Sequence, residues 1–557
     1  MTTMKWGRRL TVFGAVIALG LGASTTAFSS PSSKTSNTSS ISISDEYGVA
    51  WNCEFNPYSG AEQFASFGPV YEELVYMDSL KDGATTPWLA TSWAWSNQDK
   101  TLTFTIRNGV KWTDGVAFSA KDVVYSFNLL KKNSALDLNG DWTVLSSVTA
   151  KGSNQVVFQF SKPAVTYFYY IADETPIVPE HIWSSIKDPV TYLDKNPIGT
   201  GPYTMHTCSG ANIQYQKNDN YWQKGLPHIE TVNFPSYLSN NAANADLASG
   251  VDQWGSQYVP NIKAYYLNKN PNYHIWFEPT YNVNIYINLK NSILSNLAVR
   301  QAMAYAIDRA AVSKIGESSY EPASNQTSIV KPTFSSWYDA SQAAASGNAY
   351  AYDPAKAISI LEAAGYKKGS DGIFAKGGKP LSFTIINNGG YSDWVAAVNV
   401  IQSDLKAVGI AITPDNLSGT TWLSDLYTGN YQLAYSWDSG GPTPYYELRA
   451  LLYSGNTAPI GKSASDDWER YISPSTDALF AQYASTTSAA VQHTVIDELQ
   501  KVMLDDVPVI PVTEAVDWYQ YDTQSIGGWV TPSDPYAQPD QYAVPDWGVV
   551  LLHLYKK

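Results

Sequence analysis

Charged side chains are scarce in these 557 residues, at 15%, and cations are scarcer than anions, with 36 Lys and Arg against 50 Asp and Glu. The formal charge of -14 excludes a nucleic-acid partner, whose phosphates demand clustered Lys and Arg. Cysteine is almost missing: Cys53 and Cys208 are the only two. The six histidines (His181, His206, His228, His274, His493 and His553) never fall at zinc-ligand spacing, and no H-E-x-x-H occurs. A phosphate-cradling G-x-x-x-x-G-K-[ST], a dinucleotide G-x-G-x-x-G and a G-x-S-x-G nucleophile elbow are all lacking. No catalytic residue, cofactor or metal site is therefore expected, and the chain reads as a non-enzyme. Internal repeats are absent, and the apolar run from Leu10 to Ala23 is too short for a membrane span.

Aromatic residues are what the chain has in excess, with 19 Trp and 39 Tyr. Flat rings with polar edges suit sugars, whose axial C–H groups stack on π-faces while amides and carboxylates read the hydroxyls. The other use of so many rings is a Tyr-rich core.

The N-terminus, "MTTMKWGRRLTVFGAVIALGLGASTTAFSS", carries Lys5, Arg8 and Arg9 before the apolar run and small residues after it. That pattern predicts a secretory signal peptide over 1–27, with Thr25-Thr26-Ala27 at the cleavage site. An uncleaved anchor is the alternative, and no lipid-attachment cysteine follows. Residues 28–44 ("SSPSSKTSNTSSISIS" and its flanks) read as a Ser/Thr-rich tether. In the oxidising compartment beyond, Cys53 and Cys208 are expected to pair; two buried free thiols are the other arrangement.

Strand and helix patterns alternate along the rest, which makes the class mixed α and β. Leu102, Phe104 and Ile106 share one face of a strand, as do Val156, Phe158 and Phe160, and again Val283, Ile285, Ile287 and Leu289. Ser119 caps a helix whose Val123, Phe127 and Leu130 align, and Asp353-Pro354 opens another that Gly365 stops. Val299, Met303, Ile307 and Ala310 predict one continuous helical stripe. The segment "GGWVTPSDPYAQPDQYAVPDWG" reads as irregular chain on the surface.

Five stretches stand in a distinctive order: "TFTIRNGVKWTDGVAFSAKDVVYSFNLLK" (103–131), "NPIGTGPY" (196–203), "KNDNYWQKGLPHIETVNF" (217–234), "VRQAMAYAIDR" (299–309) and "DDVPVIPV" (505–512). Together they resemble the family 5 extracellular solute-binding proteins of ABC importers, which take peptides, nickel chelates and oligosaccharides. The resemblance runs from about residue 45 to the C-terminus. It implies an α/β fold of the two-lobed periplasmic-binding-protein type II kind, with an additional small α+β domain. Lobe I would comprise 45–75, 186–288 and 511–557, the extra domain 76–185 and lobe II 289–510. Ligand would be enclosed between the lobes by hinge closure, and the closed form, a monomer, would deliver it to the permease outside the cytoplasmic membrane or in the periplasm.

Peptide-binding members carry a D-Y-x-D-P-like segment that meets the peptide's amino group. Here "YQLAYSWDSGGPTPYYE" (431–447) keeps Asp438 but replaces the rest with Ser439-Gly440-Gly441-Pro442. This stretch, with "DETPIVPEHIW" (173–183), looks like the cello-oligosaccharide or β-glucoside branch. The candidate ligand-binding residues are Trp51, Asn52, Trp254, Trp276, Tyr281, Asn282, Trp422, Trp437, Asp438 and Tyr445. The expected function is capture of an oligosaccharide. A peptide receptor on the same fold, a secreted glycoside hydrolase and a receptor that signals without transport are the competing readings.

Overall fold

The computed structural model describes residues 39–45, 50–59, 66–81, 83–331, 333–345 and 350–557. The expected signal peptide and the first part of the expected tether, to residue 38, lie outside the described residues. Three sheets of four or more strands organise the described residues.

The smallest of them has four antiparallel strands in the order Ala90–Ser96, Thr101–Ile106, Gln155–Phe160 and Leu145–Lys151. Helix Ala120–Lys132 packs on it, and Phe127 meets Phe158 edge-on at 4.8 Å between centroids. Ser119 caps this helix reciprocally with Asp122, which fixes where it starts.

The second sheet has seven strands, ordered Tyr273–Ile275, Gln520–Asp522, Trp254–Ser256, Ser40–Asp45, Thr231–Pro235, Asn212–Lys217 and Tyr203–Ser209. Its fourth strand corrects the reading of 28–44 as tether throughout. Ser40–Asp45 runs parallel to both neighbours, with Ile41 and Ile43 buried. The "SISIS" alternation is a strand pattern that the Ser/Thr-rich composition masked.

The third sheet has five strands, ordered Ala411–Leu417, Ser382–Asn388, Leu433–Trp437, Glu278–Ile287 and Val509–Asp517. Two of these correct the expected lobe boundaries, which gave 278–287 and 511–517 to lobe I. Both strands pair inside the lobe II sheet, from Glu278 opposite Asp517 to Tyr286 opposite Val509. Just beyond, Ile275 pairs with Gln520 in the seven-stranded sheet, and the Trp276 amide donates to the Tyr519 carbonyl at 3.0 Å. The chain thus passes between the lobes twice, side by side, at 275–278 and 517–520. Two neighbouring crossovers make a hinge.

The expected helix over Val299–Ala310 is two helices, Leu297–Ala306 and Arg309–Ile315. Asp308 breaks the run by accepting the Ala311 amide as an N-cap. The C-terminal segment is less superficial than its composition suggests, since helix Asp546–His553 buries seven of its residues, Asp546 to Leu552.

The sequence motifs are structural joints. A Cβ on Gly199 or Gly201 would lie 1.8 Å from the Val70 carbonyl oxygen or 2.4 Å from that of Pro69, so only glycine fits "GTGPY". Tyr221 and Trp222 of "NDNYW" donate to the buried Glu72 carboxylate at 2.7 and 3.0 Å, as Trp88 does at 2.9 Å. Arg107 lies 4.4 Å over the Trp222 ring. Cys53 and Cys208 are joined by a disulfide, Cα to Cα 5.8 Å, tying the 50–59 segment to strand Tyr203–Ser209.

Candidate functional site

A cavity of about 360 Å³ is lined from both larger sheets, by Ser256 of the seven-stranded one and by Tyr281, Trp437 and Ala515 of the five-stranded one. Strand Leu433–Trp437 ends at its wall, presenting Trp437 and then Asp438 to Gly441. Trp437 stands 5.3 Å from Trp394, which meets Tyr391 edge-on at 5.1 Å. Trp422 lies fully buried behind, 5.0 Å from Trp437 and 5.5 Å from Trp394, and props both rings. Across the cavity Tyr258 and Trp518 meet edge-on at 5.7 Å. The ligand space is therefore walled by rings from both lobes, in the edge-to-face packing that aromatic quadrupoles favour. A Cβ at Gly441 would lie 2.6 Å from that of Tyr446, so the turn after Asp438 must be glycine to pass.

Asp438 is held from the adjacent strand by the Asn282 amide at 3.0 Å and Asn284 Nδ2 at 2.8 Å. Burial pushes its carboxyl up to about 7 against those bonds. Behind it Asn282 Nδ2 donates to Glu447 Oε1 at 2.6 Å. The lobes touch around the cavity: Asn240 Nδ2 donates to Asp393 Oδ1 at 2.9 Å, and the Ile262 amide donates to Tyr320 Oη at 2.9 Å. These contacts bridge the two lobes beside the cavity.

Of the residues expected at the site, Tyr281, Trp437 and Asp438 line the cavity. Asn282 and Trp422 form the layer behind. The others lie elsewhere. Trp51 is a core residue of lobe I, its indole donating to the Phe234 carbonyl at 2.8 Å and its ring 4.8 Å from that of Phe234. Exposed Asn52 accepts the Glu54 amide in a local turn at 3.0 Å. Trp254 is fully buried and donates to the Pro539 carbonyl at 2.9 Å. Trp276 donates to Glu278 Oε2 at 3.1 Å beside the hinge, and Tyr445 stacks on Tyr483 at 4.4 Å inside lobe II. For Trp51 and Trp254 the reason is the same: a buried backbone carbonyl satisfies each indole N–H, which removes the cost of burial.

Sequence reasoning missed Tyr258, Tyr391, Trp394, Trp518, Gln257, Asn240, Asp393 and Glu321, all at the cavity. A signal existed for some. "NNGGYSDW" marks a strand-to-helix turn, and Trp518 follows strand Val509–Asp517 where the chain crosses between lobes.

Two lobes, two adjacent crossovers and an aromatic cavity between the lobes define a ligand-capturing clamp protein. The sequence profile for "Bacterial extracellular solute-binding proteins, family 5 Middle" matches residues 84–459, and the chain belongs to that family. It is 30% identical over 319 residues to the oligopeptide-binding protein AppA of Bacillus subtilis (strain 168), covering 55% of this chain and 56% of that one. The chain thus spans little more than half the length of that relative. It is 24% identical over 487 residues to the glutathione-binding protein GsiB of Salmonella paratyphi A, covering 84% of this chain and 88% of that one. Among solved structures it is similar to the mannohexaose-bound periplasmic oligopeptide-binding protein of Thermotoga maritima. There the TM-score is 0.86 at 26% identity, over 94% of this chain and 99% of that one. Among the described residues no helix is long and apolar enough to cross a membrane.

Proposed function

We propose that the protein is the capturing component of an ABC importer, enclosing an oligosaccharide of β-linked glucose units and presenting it to a membrane permease. The observation that carries this is the lining of the cavity. Rings from both lobes stand beside amides and carboxyls, and no Lys, Arg or His is among the described lining residues. Sugars need platforms and hydroxyl readers and no counter-charge. The mannohexaose held by the Thermotoga maritima neighbour supports the reading. Function on this reading is hinge closure around the ligand outside the cytoplasmic membrane, as a monomer, without chemistry.

Calorimetric titration with cello-oligosaccharides, manno-oligosaccharides and short peptides tests it, and a response to peptides alone overturns it. The peptide reading has its own support in Asp438, acidic and at the cavity wall, and in the peptide-binding relative. Incubation with labelled cello-oligosaccharide is expected to release no product, and hydrolysis would move the protein to the glycosidases.

Trp437→Ala is expected to weaken sugar binding by about 1–3 kcal/mol, as truncation of a central aromatic anchor does. Trp51→Ala should do the reverse. It removes a buried side chain and lowers stability by about 3–5 kcal/mol, with sugar affinity unchanged. Urea denaturation and titration of both variants separate the two roles, and a loss of affinity in Trp51→Ala with full stability would return that ring to the site.

A further inference from the structure

One corner of the cavity is acidic beyond what reading hydroxyls requires. Asp393, at the start of helix Ser392–Ala407, and Glu321, after helix Arg309–Ile315, both line it and both are buried. Glu317 stands close behind, fully buried, with neither carboxylate oxygen finding a hydrogen-bond partner among the described residues. Its loop is pinned in place, because a Cβ on Gly316 would lie 2.8 Å from Ala397 of the same helix that carries Asp393. From the opposite lobe Asn240 gives its Nδ2 to Asp393, which leaves its Oδ1 an acceptor, buried at the cavity and without a partner among the described residues. Ser256 Oγ, also buried at the cavity, has none either.

Among the described residues no cation answers these acceptors. Thr513 Oγ1 donates to Glu321 Oε2 at 2.6 Å, but no ion pair among the described residues involves any of the three carboxyls. Nor do they form a group that could hold a metal ion. Three buried carboxyls without a counter-charge are a costly arrangement. Burial first, and then the charges of its neighbours, hold Glu317 well above the usual carboxylate range, and Glu321 is pushed up to about 8.

We propose that the corner formed by Asn240, Glu321 and Asp393, with Glu317 buried behind it, receives a protonated amine of the ligand. The amine brings the donors and the positive charge that this wall lacks, and it makes charge-assisted bonds to oxygens already in place. The inference rests on the sugar reading in placing the amine on a sugar ring, as a 2-amino group. An amine of a peptide has the same chemistry, so the test includes both.

The experiment is calorimetric titration of the full chain with cellotriose, the β-1,4-linked glucosamine trimer, its N-acetylated form and a Lys-containing tripeptide. The glucosamine trimer is expected to bind at least about tenfold more tightly than cellotriose or the N-acetylated trimer. In Asp393→Asn and Glu317→Gln that preference should shrink. Glu317→Gln removes the ionisable carboxyl with little change of shape, and its melting curve checks folding. Binding of the tripeptide alone, weakened in Glu317→Gln, would sink the sugar reading and uphold the amine. Cellotriose binding as well as or better than every amine-bearing probe would uphold the sugar and overturn the amine. A preference for the amine that survives unchanged in both variants also overturns this corner as its receptor.

Discussion

Replacing Cys53 and Cys208 together by Ser is expected to lower the stability by about 3–5 kcal/mol, with ligand affinity preserved. The bridge spans 155 residues, and the chain-entropy account gives about 5 kcal/mol for closing so long a loop, with less in practice. The folded state should survive its loss, because the 50–59 segment has other ties. The Trp51 amide donates to the Gly210 carbonyl at 3.1 Å, and buried Asn56 Nδ2 donates to the carbonyls of Pro189 at 3.0 Å and Tyr192 at 2.9 Å. The effect therefore arises mostly in the unfolded chain, which gains freedom when the link is cut. Cys53 sits at φ 53°, a left-handed conformation that Ser would adopt at a like cost, so the backbone there adds nothing to the difference. Neither cysteine lines the cavity. Urea denaturation of the double variant against the oxidised protein checks this, and coincident midpoints would show that the bridge contributes nothing. A fall in affinity as large as the fall in stability would instead couple this joint to the clamp.

How much was legible depends on how local the cause is. Leu102, Phe104 and Ile106 alternate because one face of their strand is buried, and Ser119 caps because its hydroxyl and Asp122 are three residues apart. Such causes lie within a few residues and can be read. The lobe boundaries turn on pairing between Glu278–Ile287 and Val509–Asp517, more than two hundred residues apart, and no local pattern says which sheet those strands join. The site suffered most. Trp51 and Trp437 both end apolar runs and look alike in sequence. What separates them is a carbonyl at Phe234 for one and an open cavity for the other. Trp394 and Trp518 were overlooked for the same reason, since position in space decides between core and platform. The aromatic excess was legible as composition, and its division between the two uses was not.

The ligand-free protein is expected to lose stability as the pH rises from 5 to 8. A nest of carboxyls joins the small domain to lobe I: buried Glu72, Glu73, Asp173 and Asp546, with half-buried Glu174 at the edge of the cavity. Burial raises all of them, Glu72, Glu174 and Asp546 each to about 7. Glu73 is held well above its ordinary 4.5 by burial first and by the charge of Glu72 second. Its two oxygens find no partner in any other described residue. The sign follows from proton counting. Between the ordinary value near 4.5 and the raised one, the folded protein holds protons that the unfolded chain has released, so stability is full below that window and is lost as pH rises through it. Glu72 alone accounts for about 3 kcal/mol across the window. Glu73→Gln keeps the shape and removes the charge, so it should stabilise by about 2 kcal/mol at pH 8 and be near neutral at pH 5. Melting temperatures of both proteins at the two pH values decide the matter. A wild-type curve that is flat or rises over this range would mean that these carboxyls ionise freely in the folded state. The nest would then be a hydrated seam between domains, and Glu73→Gln would leave stability unchanged at both pH values.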